Sequence, residues 1–325
     1  MTGQNAAMCG GIPAKKKCLR VSVPMQMLGA ILLAGLILCI PSAAAEGVRC
    51  GLVLCARSVI PSLFPFLVLS PMLSDGVRTI TECLCRGRCS SRAAALLSAY
   101  AVGMLAGFPI GALTVLSLYR QDRIDGEDAA RFLGVCTGAS PAFLIGYFGE
   151  ALWGNAALGW AVWLLQSLLC LAGFLFLLRK GPTVTAASGI MNEERSPTLT
   201  QCLQGAVPRM LQICGCVVLF SVLRIFICRW FPAEIAVGLG GMAEMTGGLS
   251  DAAALYAGGF MERETAMTVS AAVIGFGGGC VGMQIAGAAA EAGVSMRQYW
   301  LQRILLGVTG TLLSAGIGLI GYGIG

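Results

Sequence analysis

The sequence predicts an all-α integral membrane protein with about seven transmembrane helices plus re-entrant hairpins, built as two inverted structural repeats with discontinuous helices. Three observations predict this fold: an apolar composition, two similar sets of apolar runs and an uneven placement of basic residues. Of the 325 residues, 57% are hydrophobic and 12% are charged, and the mean hydropathy is +0.80. Soluble domains carry about 25% charged residues, so the composition places the chain in a bilayer.

The composition also excludes several kinds of enzyme. The chain contains no histidine, which removes imidazole acid-base catalysis, the Ser-His-Asp triad and the commonest transition-metal ligand. Its lysines, Lys15, Lys16, Lys17 and Lys180, all lie in polar segments, which disfavours a buried lysine nucleophile. We therefore expect no enzyme activity, no cofactor, no metal site and no nucleic-acid partner.

Residues 1–47 are expected to form a basic N-terminus followed by the first transmembrane helix. The apolar run 25–45 follows a basic tract that ends at Arg20. The run itself ends in three alanines, Ala43, Ala44 and Ala45, which imitate a signal-peptidase site. A cleaved signal peptide is therefore the alternative to an uncleaved span.

Residues 48–178 and 201–325 predict two repeats joined by a cytoplasmic linker, residues 179–200. Each repeat contains four apolar runs. The runs are 49–73, 93–119, 129–149 and 156–178 in the first repeat, and 201–230, 234–256, 265–289 and 298–322 in the second. Corresponding runs are separated by a roughly constant length of chain, which is typical of transporters built from repeats.

The basic residues predict the topology, because Lys and Arg prefer the cytoplasmic side of short loops. We interpret the first, second and fourth runs of each repeat as full spans, and the third run, which is broken by glycine, as a re-entrant hairpin. Most of the 22 basic residues, including Arg92 and Arg303, then lie on the cytoplasmic side, whereas Arg120, Arg123 and Arg131 lie outside. Three spans per repeat is an odd number, so the second repeat is inverted relative to the first.

The interrupted apolar runs predict where a binding site lies. Irregular backbone is tolerated at membrane depth only where protein or a water-filled cavity satisfies its hydrogen bonds. The two sharpest interruptions are Gly107-Phe108-Pro109-Ile110-Gly111 and Glu244-Met245-Thr246-Gly247-Gly248. Broken helices at corresponding positions of two repeats indicate a substrate site whose half-helix N-termini attract an anion. The alternative is helix packing through the small-residue face of Gly103, Gly107 and Gly111.

The third runs supply the uncharged candidates for this site. Thr137 and Ser140 offer hydroxyl groups just before a proline, while Gly278 offers free backbone and Gln284 an amide. We expect these segments to meet at the middle of the membrane. They would complete the site formed by the broken helices.

Three charged side chains complete the predicted site. Glu244 lies within an apolar run, where an ionised carboxylate costs at least about 2.5 kcal/mol. It could bind a coupling cation such as H⁺ or Na⁺, accept a hydrogen bond from substrate, or form a structural pair with Arg224. Arg57 and Arg224 are candidates for pairing with an anionic substrate, and snorkelling to lipid headgroups is the alternative for such arginines.

The cysteines form one cluster, Cys83, Cys85 and Cys89. It lacks a fourth thiolate or a histidine at zinc spacing. We therefore expect free thiols in a reducing cytoplasmic loop, and a metal or redox site is the alternative.

Several of these segments, taken in order, resemble a known family. They are residues 61–66, residues 107–111, residues 137–146 after an acidic connector, residues 244–248, and Phe276-Gly277-Gly278 with Gln284. In this order they resemble the YlbJ/SpoVV family of sporulation integral membrane proteins, which belongs with the nucleoside-recognition, or Gate-domain, membrane proteins. The resemblance covers about residues 48–310 and implies a fold similar to the core of concentrative nucleoside transporters.

The resemblance also implies a substrate and a location. It predicts that the chain moves dipicolinic acid from the mother cell across the outer forespore membrane of an endospore-forming bacterium. Half-helix N-termini and a nearby arginine suit this small planar dianion. The alternatives are a transporter of nucleosides or another small solute, and a non-transporting membrane scaffold for spore maturation. The expected partners are the substrate, the lipid bilayer, a coupling cation and, as an open alternative, a second copy of the chain.

Overall fold

The computed structural model describes residues 23–84, 90–180 and 197–323, and every regular element within these ranges is helical. The basic N-terminal tract, residues 85–89 of the cysteine loop and residues 181–196 of the expected linker lie outside the described residues. The predictions made for those segments therefore stay predictions.

The helices of the two halves follow the apolar runs, with additional interruptions. In the first half they are α1 Val23–Cys39, α2 Pro41–Leu54, a π-helical turn Cys55–Val59, α3 Ile60–Leu84, α4 Ser91–Ala106, α5 Ile110–Arg120, α6 Gly126–Phe132, the π-helical segment Ala142–Leu152 and α7 Ala156–Lys180. In the second half they are α8 Leu199–Trp230, α9 Ala233–Ala243, α10 Met245–Ala257, α11 Arg263–Phe276, α12 Gly279–Ala292 and α13 Arg297–Gly323.

Four helical stretches in the described part of the chain are long and apolar enough to cross a bilayer. They are Pro41–Met72, Ala156–Arg179, Leu199–Trp230 and Arg263–Ala292. Large apolar side chains also cover the outer surface; Leu38, Leu168 and Leu211, for example, have exposed fractions of 81%, 61% and 69%. The chain thus has the helices and the apolar exterior of a membrane protein.

The first long helical stretch of the first half, which begins with α2, packs against α8, the first long helix of the second half, along most of its length. A Cβ atom on Gly47 of α2 would press against the backbone of Val222 in α8. Further along, the Cys55 thiol donates to the Cys214 carbonyl at 3.7 Å. Gly47 faces Val222, whereas the later residue Cys55 contacts the earlier residue Cys214. The two stretches therefore run antiparallel.

Helices α4 and α5 form a hairpin. A Cβ atom on Gly103 would lie 2.9 Å from the Cα atom of Gly111, and Leu96 of α4 shares a buried cluster with Leu118 of α5. The chain therefore turns back at residues 107–109. The 11 residues of α5 extend about 16 Å, roughly half the thickness of the hydrocarbon core. The second run of the first half is a helical hairpin and not the full span that the sequence predicted.

Helices α9 and α10 form the corresponding hairpin in the second half. A Cβ atom on Gly241 would lie 3.5 Å from the Cα atom of Gly248. The turn falls at Glu244, which ends α9 and caps α10. This run, too, was expected to cross the membrane as one discontinuous helix.

The third runs, which were predicted to be re-entrant hairpins, do not fold back. In the described residues α11 and α12 make no extended contact with each other, and together they form one crossing-length stretch. They are interrupted by Gly277 and Gly278, whose φ angles of 84° and 79° favour glycine. In the first half, irregular backbone at residues 137–141 separates α6 from the π-helical segment. A Gly or Pro break predicts non-helical backbone but not the direction of the chain beyond it.

The α4–α5 hairpin also corrects the predicted placement of charges. Because α5 returns towards the start of α4, Arg92 and Asp128 lie together instead of on opposite sides of the membrane. Arg92 Nη2 donates to Asp128 Oδ1 at 2.6 Å, and its Nε donates to Oδ2. Arg303, which was expected in a cytoplasmic segment, is instead fully buried.

Candidate functional site

The two hairpin tips and the two helix interruptions surround one cavity of about 50 Å³. Its wall includes five of the residues predicted from the sequence, namely Phe108, Ser140, Glu244, Thr246 and Gln284. Helix α8 closes one side with apolar side chains. The structure thus brings the expected segments of both halves to one place.

Glu244 contributes the carboxylate of this wall and is only 2% exposed. Its two oxygens accept hydrogen bonds from the backbone N–H groups of Thr246, at 2.9 Å, and Gly247, at 2.6 Å. The side chain therefore caps α10, whose N-terminal dipole favours a negative charge there. These bonds explain how the fold accommodates a carboxylate at this depth.

Arg224 lies beside Glu244 but pairs with another residue. Its Nη1 atom donates to Asp251 on α10, while its buried Nε has no hydrogen-bond partner among the described residues. A Cβ atom on Gly247 would lie 2.5 Å from Arg224 Nε and 2.9 Å from Glu244 Oε2. The glycine lets both charged groups approach the same turn. The structural pair of Arg224 with Glu244, which was one of the alternatives for Glu244, is not formed, and Arg224 pairs with Asp251 instead.

The tip of the α4–α5 hairpin packs against the interruption at residues 137–141. A Cβ atom on Gly107, which has φ +81°, would lie 2.7 Å from the Ser140 Cβ. The Phe108-Pro109 peptide bond of the same tip is cis. Ser140 accepts the backbone N–H of Phe143 at 3.2 Å and so caps the π-helical segment.

Four helical segments begin at the cavity: α5, the π-helical segment, α10 and α12. Each contributes wall residues from its first turn or from the residues just before it, such as Phe108, Ser140, Thr246 and Cys280. Helix N-termini carry unpaired N–H groups and partial positive charge. The N-terminal ends of these four segments therefore lie at or beside the cavity wall, and the Glu244 carboxylate caps one of them.

Other predicted residues support the site without lining the cavity. The Thr137 hydroxyl donates to the Leu133 carbonyl, and Thr137 does not line the cavity. Gly111 lies where a Cβ would strike Gly103 and the Cys136 carbonyl, which fits the packing alternative for this glycine face. Gly278 packs against Met245, whose backbone nitrogen is 3.3 Å from the position of a Gly278 Cβ.

Arg57 is not part of the site. It lies on the π-helical turn Cys55–Val59 with an exposed side chain, and it does not line the cavity. An exposed cation in an apolar run fits the snorkelling alternative.

Two residues that sequence reasoning missed satisfy the interrupted backbone. Gln166 of α7 accepts the Ala139 N–H at 3.1 Å and donates to the Ala139 carbonyl at 3.2 Å. Arg303 of α13 donates to three carbonyls, those of Thr137, Ile274 and Phe276. The sequence feature that could have identified them is that each is a polar side chain within an apolar run, Gln166 in the run 156–178 and Arg303 in the run 298–322.

These features define the class of protein: a helical membrane protein with a mostly apolar cavity that lies at interrupted helices and carries a few polar groups. The comparisons with known proteins add no family to this description. No protein-family description, curated protein or solved structure matches the chain significantly.

Proposed function

We propose that the chain is a membrane transporter for a small organic anion, with dipicolinate as its substrate, moved from the mother cell across the outer forespore membrane. One observation carries the transport part of the proposal. Each half of the chain contributes to the same cavity residues from one hairpin tip and residues at or just after one helix interruption. Discontinuous helices that meet near the membrane midplane are typical of secondary transporters.

The arrangement of the halves supports inverted repeats with about seven spans. The first long helices run antiparallel, as inverted repeats require. Each hairpin is proposed to enter and leave the membrane on the same side, so it does not count as a crossing. The three full crossings of each half are then its first run, its interrupted third run and its last helix. The ion pair of Arg120 with Glu291, at 3.4 Å, supports this topology because it joins the ends of α5 and α12 on the proposed cytoplasmic side.

The choice of an anion rests on the family resemblance and on the four helix N-termini at the cavity. The cavity volume of about 50 Å³ suffices for about three to five water molecules, which is less than dipicolinate needs. We therefore propose that this conformation is closed and that the hairpin tips separate to admit the substrate.

A neutral polar solute such as a nucleoside is the second candidate. The wall carries the Glu244 carboxylate and the Gln284 amide, and none of the described wall residues is basic. A carboxylate and an amide can both accept hydrogen bonds from hydroxyl groups. This wall chemistry is the observation in favour of a neutral solute with hydrogen-bond donors.

Flux measurements in proteoliposomes test both candidates. We expect purified protein to take up labelled dipicolinate, unlabelled uridine to compete weakly, and Glu244→Gln to lower the flux about tenfold or more. Glu234→Gln is the matched control, because Glu234 is exposed at the start of α9. Imposed Na⁺ or pH gradients in the same vesicles identify the coupling cation.

Three outcomes would change the proposal. Wild-type flux equal to that of empty liposomes would contradict transport. Strong competition by uridine would favour the nucleoside candidate. Tolerance of Glu244→Gln, combined with sensitivity of exposed loops in sporulating cells, would favour the scaffold.

A further inference from the structure

Arg303 is a fully buried cation in the core of the protein, with an exposed fraction of 0%. No carboxylate of the described residues forms an ion pair with it. A buried charge without a counter-ion is costly unless other groups solvate it. The groups that surround the Arg303 guanidinium therefore indicate which role this residue has in the fold.

The guanidinium group is solvated by backbone carbonyls at both helix interruptions. Nη1 donates to Thr137 O at 2.8 Å, Nε to Phe276 O at 3.0 Å and Nη2 to Ile274 O at 3.0 Å. One contact lies in the first half of the chain and two lie in the second. Arg303 thus joins the two interrupted helices directly.

These carbonyls need a donor because the interruptions deprive them of one. The helical partner of Thr137 O would be the N–H of residue 141, which is a proline and has no N–H. Ile274 and Phe276 lie in the last turn of α11, where carbonyls have no partner within the helix. The rigid guanidinium fork supplies three donors in one plane, which a lysine cannot do.

The same group lies behind the cavity wall. The Arg303 Cζ atom is 5.1 Å from the ring centroid of Phe108, and Phe108 lines the cavity at the hairpin tip. The same aromatic ring therefore contacts the cation and lines the cavity. Because the carbonyls solvate the charge without neutralising it, its field reaches the cavity through a medium of low dielectric constant.

We propose that Arg303 is the positioning and charge-selecting residue of the site. It holds both helix interruptions and the Phe108 tip in register, and its positive charge gives the cavity a preference for anionic over neutral solutes. This inference rests on the proposed transport function and names the residue that sets its substrate class.

The test compares a dianion with a neutral molecule of the same shape. Proteoliposomes are assayed for uptake of labelled dipicolinate and of labelled pyridine-2,6-dicarboxamide, and Vmax/KM is determined for each. The measured quantity is the ratio of the two values. A purely structural role would lower both values together and leave the ratio unchanged.

We expect Arg303→Gln to lower the ratio about tenfold or more, because it removes a charge in a low-dielectric site. Arg303→Lys keeps the charge but loses the planar fork, so both fluxes should fall while the ratio stays within about threefold of wild type. Arg297→Gln is the matched control, because Arg297 is exposed at the start of the same helix. It should change neither flux nor ratio.

Phe108→Leu keeps the proposal testable if Arg303→Gln does not fold. Leucine removes the ring between cation and cavity while Arg303 stays, so the ratio should rise about threefold. An unchanged ratio in Arg303→Gln, a falling ratio in Phe108→Leu, or a wild-type ratio near one would overturn charge selection and leave transport intact. Absence of wild-type flux for both solutes would overturn the transport proposal and this inference together.

Discussion

The close approach of Gly103 and Gly111 gives a direct test of the α4–α5 hairpin. In Gly103→Ala the new methyl group would overlap the Cys136 carbonyl and lie 2.9 Å from the Gly111 Cα. All of these neighbours are backbone atoms, so no side-chain rotation relieves the overlap. Overpacking costs typically about 1–3 kcal/mol, and we expect the upper end, about 3 kcal/mol, at this position.

Gly215→Ala is the matched control for this variant. Gly215 lies in α8 with no atom within 4 Å of its Cβ position. Replacing Gly by Ala inside a helix gains about 1 kcal/mol at both positions, so the gain cancels in the comparison. The difference between the two variants measures the overlap of the new methyl group with Cys136 and Gly111 together, and it corresponds to a Tm about 6 °C lower for Gly103→Ala.

The assay is heating of the detergent-purified variants, followed by size-exclusion chromatography of the folded fraction. Gly111→Ala presses on the same contact from the other helix and should behave like Gly103→Ala. If both variants were as stable as Gly215→Ala, α4 and α5 would not lie side by side. The sequence-based interpretation of one discontinuous helix that crosses the membrane would then be restored.

Three further predictions concern other contacts. Asp128→Asn leaves Arg92 buried without its counter-ion and should destabilise the protein by about 3–5 kcal/mol, measured by the same heating assay; stability equal to wild type would contradict the buried pair. Cys280 lines the cavity, so dipicolinate should slow the alkylation of Cys280 by N-ethylmaleimide, measured by mass spectrometry of the Cys280 peptide. Alkylation of the exposed Cys39 should proceed at the same rate with and without dipicolinate. An unchanged rate at Cys280 would place the substrate elsewhere. Arg57→Ala should leave dipicolinate flux within about twofold of wild type, because the side chain is exposed and exposed charges contribute little; a large loss would return Arg57 to the site.

The position of the cavity could be predicted from the sequence because membrane-depth backbone obeys a strict hydrogen-bond rule. Glu244 and the breaks near Gly107 and Gly278 are each costly within an apolar run, and all three lie at or beside the cavity in the structure. A local pattern of this kind needs no knowledge of the rest of the fold. The pattern indicates where a helix ends, but it does not indicate which other part of the chain that helix end contacts.

The path of the chain beyond each break could not be predicted in the same way. The run 93–119 is long enough to cross a bilayer, so length alone favoured a span. The close packing of Gly103 against Gly111 shows that the run forms a hairpin instead. Both glycines also lie against the Cys136 carbonyl, and such contacts between distant parts of the chain cannot be read from a local sequence pattern. The same limit hid Arg303, whose partners are carbonyls, groups that every residue carries and that no sequence pattern distinguishes.

The bond from Arg303 to Thr137 has a consequence for how the protein is made. The two residues are 166 positions apart, so at about 5–20 residues per second the ribosome reaches Arg303 about 8–33 seconds after Thr137. During that interval the Thr137 carbonyl lacks the donor that Arg303 supplies in the finished fold. The newborn chain must therefore keep this interruption hydrated, or shielded by an insertion factor, until its last helix arrives.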